Sequence, residues 1–166
     1  PRPDGHGVVH IGKEIVQKYI IKETGEKIDF ESLKKIVVIH QERLKKLSEI
    51  SELADFFFKE KPEYDKELLK WKEMTKSDIK NSLNKLEKIL SEIKDKDWNK
   101  ENLEKILLRE AEKTGPAKDK GYLLWPLRVA LTGKEASAGP FETAEMLGKE
   151  KTLKRLKEAG ELTGIK

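Results

Sequence analysis

An indole and a guanidinium stand three residues apart in the run "LLWPLRVAL" at 123–131, as Trp125 and Arg128. The chain has 35 basic residues, and only Arg2, Arg43, Arg109, Arg128 and Arg155 are arginine. A rare guanidinium inside an almost wholly apolar run needs something to touch. Three-residue spacing lets both side chains project from one helix turn. Tryptophan stacks on an unpaired base, an interaction worth about 1–3 kcal/mol. Arginine also stacks, and it offers a base edge a planar fork of donors that lysine lacks. Downstream, "SAGP" places the Ser137 hydroxyl and free first-turn N–H groups at a helix start. Such groups suit base carbonyls or phosphates. Together these residues could form a surface for unstacked, single-stranded RNA. The same residues also read as packing, with Trp125 in the core and Arg128 paired to a helix C-terminus or a carboxylate.

Other chemistries find little support. "HIGK" at 10–13 and "EMTKS" at 73–77 imitate the two signatures of class I aminoacyl-tRNA synthetase active sites. Those signatures work on a nucleotide-binding parallel sheet, and no βαβ pattern surrounds them here. "EMTKS" reads more simply as a helix cap. His6, His10 and His40 lack metal-ligand spacing, and the chain has no cysteine. No Gly-rich phosphate loop appears, and nothing singles out a Ser-His-Asp set. We therefore expect no catalytic residue, no metal site and no cofactor in this chain.

Charged residues make up 40% of the chain and apolar ones 36%. That balance fits helices with one buried stripe and a broad solvated face. Net charge is +4. From Lys118 to Gly160 nine Lys/Arg oppose six Asp/Glu, so +3 of it lies in the last quarter. The excess leans toward a polyanionic partner. No apolar run reaches the roughly 18 residues of a membrane span, and "PRPDGHGVVH" lacks the apolar core of a signal peptide. A soluble, cytoplasmic protein with no membrane partner is the expectation.

The elements that must carry Trp125 and Arg128 are helical. Leu33, Val37, His40, Leu44 and Leu47 share a face, as do Ile79, Leu83, Leu86, Leu90 and Ile93. Thr75 or Ser77 could cap the second of these helices. Phe56-Phe57-Phe58 is too dense for one stripe, so at least one ring should meet a second surface, and Pro62 breaks the pattern. "KDKDWNKEN" is a polar link. Leu103, Ile106, Leu107 and Ala111 mark a further helix, stopped by "TGP" at 114–116. Pro126 forbids a straight helix through it except in a first turn, so the spacing predicts a short helix at 126–131, closed by Gly133. Ser137, or Gly139 followed by Pro140, starts the next. Gly148 separates it from a last helix with Leu153, Leu156 and Ala159 inward. Apart from "HGVVHIG", no strand pattern appears. The fold class is all-α, a helical bundle.

The run Pro126 to Gly133, the pair Phe141-Glu142 and the sequence Leu147-Gly148-Lys149-Glu150 resemble the C-terminal anticodon-binding region of glutamyl-tRNA synthetase, the bacterial and organellar class I type. "QERLKKLSEISELADFFF" at 41–58 and "PEYDKELL" at 62–69 resemble the same family in order and spacing. The likeness covers about residues 36–160. It implies two packed helical subdomains, 36–115 and 116–166, with residues 1–35 unassigned. It implies that this region reads the anticodon of the glutamate tRNA. Trp125, Arg128 and the turn of Ser137, Ala138 and Pro140 would lie against the first two anticodon bases. Ala138 stands where the family usually has proline. Lys149 is expected to add a salt-sensitive phosphate contact. The family's third-base arginine falls near "SEISEL", where no arginine stands, so discrimination against the glutamine tRNA stays open. The full ligase would use ATP and magnesium in a catalytic domain supplied in cis or in trans. The rival readings are a helical protein-interaction module that retains the fold without tRNA, a complete ligase in miniature, and a DNA-binding helix-turn-helix. The last is disfavoured because "KEKTLKRLKEA" has no Asn or Gln for adenine.

Overall fold

A computed structural model describes residues 34, 35, 38, 55–57 and 59–164. The chain divides into two compact units, residues 1–60 and 61–166. In the first, Lys34, Lys35 and Val38 are helical and exposed. Phe56 and Phe57 are both buried, with ring centroids 4.3 Å apart. The stripe from Leu33 to Leu47, the three histidines and "HIGK" lie outside the described residues.

The second unit is built from four helices. Helix α1, Lys76–Glu92, starts where a polar cap meets an apolar stripe. Thr75 and Asp78 cap each other: the Asp78 N–H donates to Thr75 Oγ1 (3.2 Å) and the Thr75 N–H to Asp78 Oδ2 (2.8 Å). "EMTKS" is thus a helix start, and the stripe from Ile79 to Ile93 is buried. Asn99 caps α2, Lys100–Ala111, by accepting from the Asn102 N–H at 3.0 Å. Leu103, Leu107 and Ala111 face the core. A left-handed Gly133 (φ 69°) closes α3, Gly121–Thr132, as its place after the apolar run suggests. Helix α4, Pro140–Leu162, begins after Gly139 with Pro140 in its first turn. It is broken at Gly148 (φ 79°, ψ 164°), where the sequence places a separation. Helices α1, α3 and α4 pack on one another, with α2 against α3 and α4. Elements on both sides of residue 115 therefore share one core. Among the described residues there is no strand, and none of their helices is long and apolar enough to cross a membrane. The fold is all-α.

The expected short helix at 126–131 needs correction. Helix α3 begins at Gly121 and runs through Pro126. Proline cannot bond the carbonyl four residues back, a cost of about 3 kcal/mol in a helix interior. Two features offset it. The Asp119 carboxylate accepts the Gly121 N–H at 2.9 Å, and the Leu123 and Leu124 N–H groups both reach the Lys120 carbonyl, so the first turn closes before the proline. Pro126 is itself buried, alongside Leu123, Leu127, Val129, Ala130 and Leu131. Burial of a helix that is apolar nearly all round overrides the local rule.

The cap of α1 makes a pH-dependent prediction. The Asp78 carboxyl is held below its usual range, first by the Thr75 hydroxyl and then by the Thr75 backbone N–H. A depressed folded-state pKa adds stability above the unfolded value, about 3.9, that is lost as pH falls through the folded one. Thr75→Ala should cost about 1 kcal/mol in urea unfolding at pH 7. The deficit of Asp78→Asn relative to wild type should be present at pH 7 and shrink below about pH 4.

Candidate nucleic-acid interface

Helix α3 carries Trp125 and Arg128 one turn apart, and the chain then returns through the turn that opens α4. Arg128 bridges the two. Its Nη1 donates to the Ser137 carbonyl (3.0 Å), to Ser137 Oγ (3.1 Å) and, more distantly, to the Ala138 carbonyl (3.4 Å). The Ser137 hydroxyl donates in turn to the Ala138 carbonyl at 3.0 Å. Ser137, Ala138 and Pro140 are buried, while Arg128 and Trp125 are half-buried. Charge-assisted bonds of this kind are shorter and stronger than neutral ones, so the guanidinium fixes where the turn sits. Thr132 completes the corner: its hydroxyl donates to the Arg128 carbonyl (2.8 Å) and accepts the Lys134 N–H (3.1 Å). Glu142, of the Phe141-Glu142 pair, pairs with Lys100 of α2 at 2.9 Å and ties the start of α4 down.

Trp125 turns its polar end inward. Its Nε1 donates to the Leu68 carbonyl at 2.8 Å, in the short 3-10 turn Lys66–Leu69. The ring lies 4.9 Å from that of Trp71, tilted by 39°. A carboxylate holds the neighbouring indole: Trp71 Nε1 lies 3.3 Å from both Asp119 oxygens. Lys72 Nζ, 2.6 Å from the same carboxylate, and the Gly121 N–H hold the Asp119 carboxyl below its usual range. The packing alternative is thus partly realised, since Arg128 reaches backbone carbonyls of a turn. The two half-buried indoles pack against each other, with Trp125 one turn before Arg128 on α3.

The structure brings Trp125, Arg128, Ser137, Ala138 and Pro140 onto one corner. Lys149 is engaged elsewhere. Its Nζ donates to the Ile93 carbonyl at 2.6 Å, just past α1, and lies 3.8 Å from Asp95. Position in a family motif suggested a phosphate contact, but the break at Gly148 aims this side chain at the end of α1.

Two contributors escaped the sequence reading. Trp71 is one, hidden in "KELLKWKEMT". Arg155 is the other: it is 1% exposed and donates through Nη1 to the Leu131 carbonyl. Burial lowers its pKa to about 10, against the opposing pull of Glu158 and Tyr64. Burial, with help from Glu158, pushes the Tyr64 phenol above its usual range. The scarcity of arginine that singled out Arg128 applied equally to Arg155. Removing a buried charge from its partners typically costs about 3–5 kcal/mol, so Arg155→Met should lower the unfolding free energy by that order. Arg128→Met, at a half-buried site, should cost about 1.5–3 kcal/mol. Urea unfolding of the two variants side by side checks the order.

With this geometry in place, comparison with known proteins is informative. The sequence model described as an anticodon binding domain matches residues 13–160. The match starts well before residue 36, so most of the segment left unassigned by sequence reading falls within the family. The glutamate–tRNA ligase of Clostridium tetani is 44% identical over 131 residues, covering 78% of this chain and 26% of that protein. That of Clostridium kluyveri is 38% identical over 143 residues, covering 83% and 27%. The chain therefore spans about a quarter of the length of the curated relatives it matches. Among solved structures, a glutamate tRNA ligase from Elizabethkingia meningosepticum in complex with its amino acid aligns with a TM-score of 0.68 at 21% identity, over 93% of this chain and 30% of that one. The glutamate-tRNA synthetase of Elizabethkingia anophelis aligns with a TM-score of 0.64 at 24% identity, over 90% and 28%. These two share the fold. By its match across residues 13–160, the chain belongs to the anticodon-binding-domain family of the glutamate–tRNA ligases.

Proposed function

We propose that this chain binds the anticodon of the glutamate tRNA, serving aminoacylation of that tRNA in the cytoplasm. The bases would meet the Trp125–Arg128 side of α3 and the Ser137–Pro140 turn. The observation that carries this reading is the bonding of Arg128 to the carbonyls of Ser137 and Ala138. It makes the turn and the helix face one rigid corner, so groups that contact a base are positioned before the RNA arrives. Exposed lysines supply the salt-sensitive phosphate contacts. Among the described residues no group of three His, Asp or Glu side chains could hold a metal ion. We assign glutamate activation, with its ATP and magnesium, to a catalytic domain in cis or in trans.

The test is a binding series with the glutamate tRNA and tRNAs differing from it only in the anticodon. Changing either of the first two anticodon bases should weaken binding by about 1–3 kcal/mol. Arg128→Lys should lose a similar amount for the cognate tRNA and little for the altered ones, because an ammonium cannot span the contacts of the fork. Equal affinity across the anticodon series would refute the reading. Recovery of proteins without tRNA in a pull-down would instead favour a helical protein-interaction module.

A further inference from the structure

We infer that Trp71, flanked by Lys72 and Lys118, is a second single-stranded RNA contact, holding an unstacked base next to the anticodon together with its phosphate. This rests on the tRNA-binding reading above and extends it to a neighbouring nucleotide.

Trp71 is half-buried and pinned at its polar edge. Its N–H is spent on Asp119, and the ring lies so close over Gly121 that a Cβ there would come within 2.2 Å of Nε1. One neighbour of the ring is Trp125, at 4.9 Å. Another is the Lys72 ammonium, 5.1 Å from the ring centroid on a side chain that is 60% exposed. The indole is therefore oriented by the protein, with an exposed surface cation over its ring.

The backbone points to the same place. Among the described residues, the non-glycine positions with positive φ are Lys72 (47°), Ala117 (51°) and Lys118 (60°). Left-handed conformations in non-glycine residues carry strain and cluster at ligand-binding sites. These residues occupy two turns that meet at Asp119, which accepts from Trp71, Lys72 and the Gly121 N–H. Glycine would relieve the strain, and here lysine stands at two of the three positions. Lys70 and Lys72 flank Trp71 along the chain, Lys118 and Lys120 flank Asp119, and all four are exposed. Asp119 faces this cluster, and the Lys72 ammonium at 2.6 Å offsets its charge. Glu112 pairs with Lys120 at 3.0 Å.

The exchange on binding is physically simple. A base takes the place of the Lys72 ammonium over the ring, and the ammonium stays beside Asp119 and bridges that carboxylate and the nucleotide's phosphate. The exposed cation–π contact that is given up is weaker than the base–aromatic stack that replaces it. The trade therefore favours the bound state and adds a counterion-release term.

The experiment uses the full chain labelled with 5-fluorotryptophan and titrated with the glutamate tRNA. Its three fluorine resonances, from Trp71, Trp98 and Trp125, are assigned with single Trp→Phe variants. The Trp71 and Trp125 signals should shift on binding. Trp98, whose N–H is held by the Ala144 carbonyl at 2.9 Å, should stay in place. Trp71→Leu should bind about 5- to 150-fold more weakly, the range of one lost stack, with Trp71→Phe recovering most of the loss. Lys72→Ala and Lys118→Ala should each lower the salt slope by about one phosphate contact. If Trp71→Leu fails to fold by circular dichroism, the Trp71 resonance and the two lysine variants decide. Tight binding that moves Trp125 but leaves Trp71 and both salt slopes unchanged would overturn this inference and leave the anticodon reading standing. Absence of tRNA binding by the wild-type chain would overturn both.

Discussion

The carbonyl end of α3 is the constraint on which the rest of this unit depends. The helix is buried on most sides, so its last carbonyls cannot turn to water, and a buried orphan carbonyl is costly. Three devices meet that demand. The Gly133 N–H bonds the Val129 carbonyl at 2.7 Å, the Thr132 hydroxyl takes the Arg128 carbonyl, and Arg155 crosses from α4 to the Leu131 carbonyl. A cation is well placed there, since the helix dipole presents its negative end. Only arginine suits so dry a position. Burial brings the Arg155 pKa down to about 10 and it still keeps its proton, whereas a lysine desolvated as far would be close to losing its own.

Arg128 solves the neighbouring problem. The chain must reverse between α3 and α4, and the reversal leaves the Ser137 and Ala138 carbonyls inside the protein. One guanidinium nitrogen reaches both and the Ser137 hydroxyl as well. A proline at 138 would fix φ through its ring. Here alanine occupies the position, and hydrogen bonds to Arg128 and Ser137 do the positioning. The guanidinium that attracted notice as a possible base reader is therefore first a structural clamp. The base contact proposed for the same side chain would draw on its remaining donors in that fixed plane.

Much of the fold was legible because it is written in local patterns. The stripe from Ile79 to Ile93, the Thr75 cap, the stop at Gly133 and the break at Gly148 each follow from residue type and spacing alone. The start of α3 was not, because the rule against proline in a helix is local and the burial that overrides it is not. The aromatic corner was half legible. Trp125, Arg128 and Ser137 are close in sequence, so one motif held them. Trp71 and Asp119 reach the start of α3, and Arg155 its carbonyl end, from three other segments, and no spacing rule connects them. Lys149 shows the converse: motif position placed it correctly on a helix start, but the direction of its side chain depends on a backbone break two atoms of peptide away.

That break explains how one stretch of chain serves two ends. Residues 140–147 must start from the clamped turn beside Arg128, while residues 149–162 must bring Arg155 under the last turn of α3. A straight helix keeps a fixed rotation per residue, so both faces could not be set independently. At Gly148 the backbone takes φ 79° and ψ 164°, an almost glycine-only conformation, and a Cβ there would meet nothing within 4 Å. Glycine is required for its dihedral freedom and not for space. The freedom is used once, to uncouple the segment that shapes the candidate RNA-facing turn from the segment that seals the core behind it.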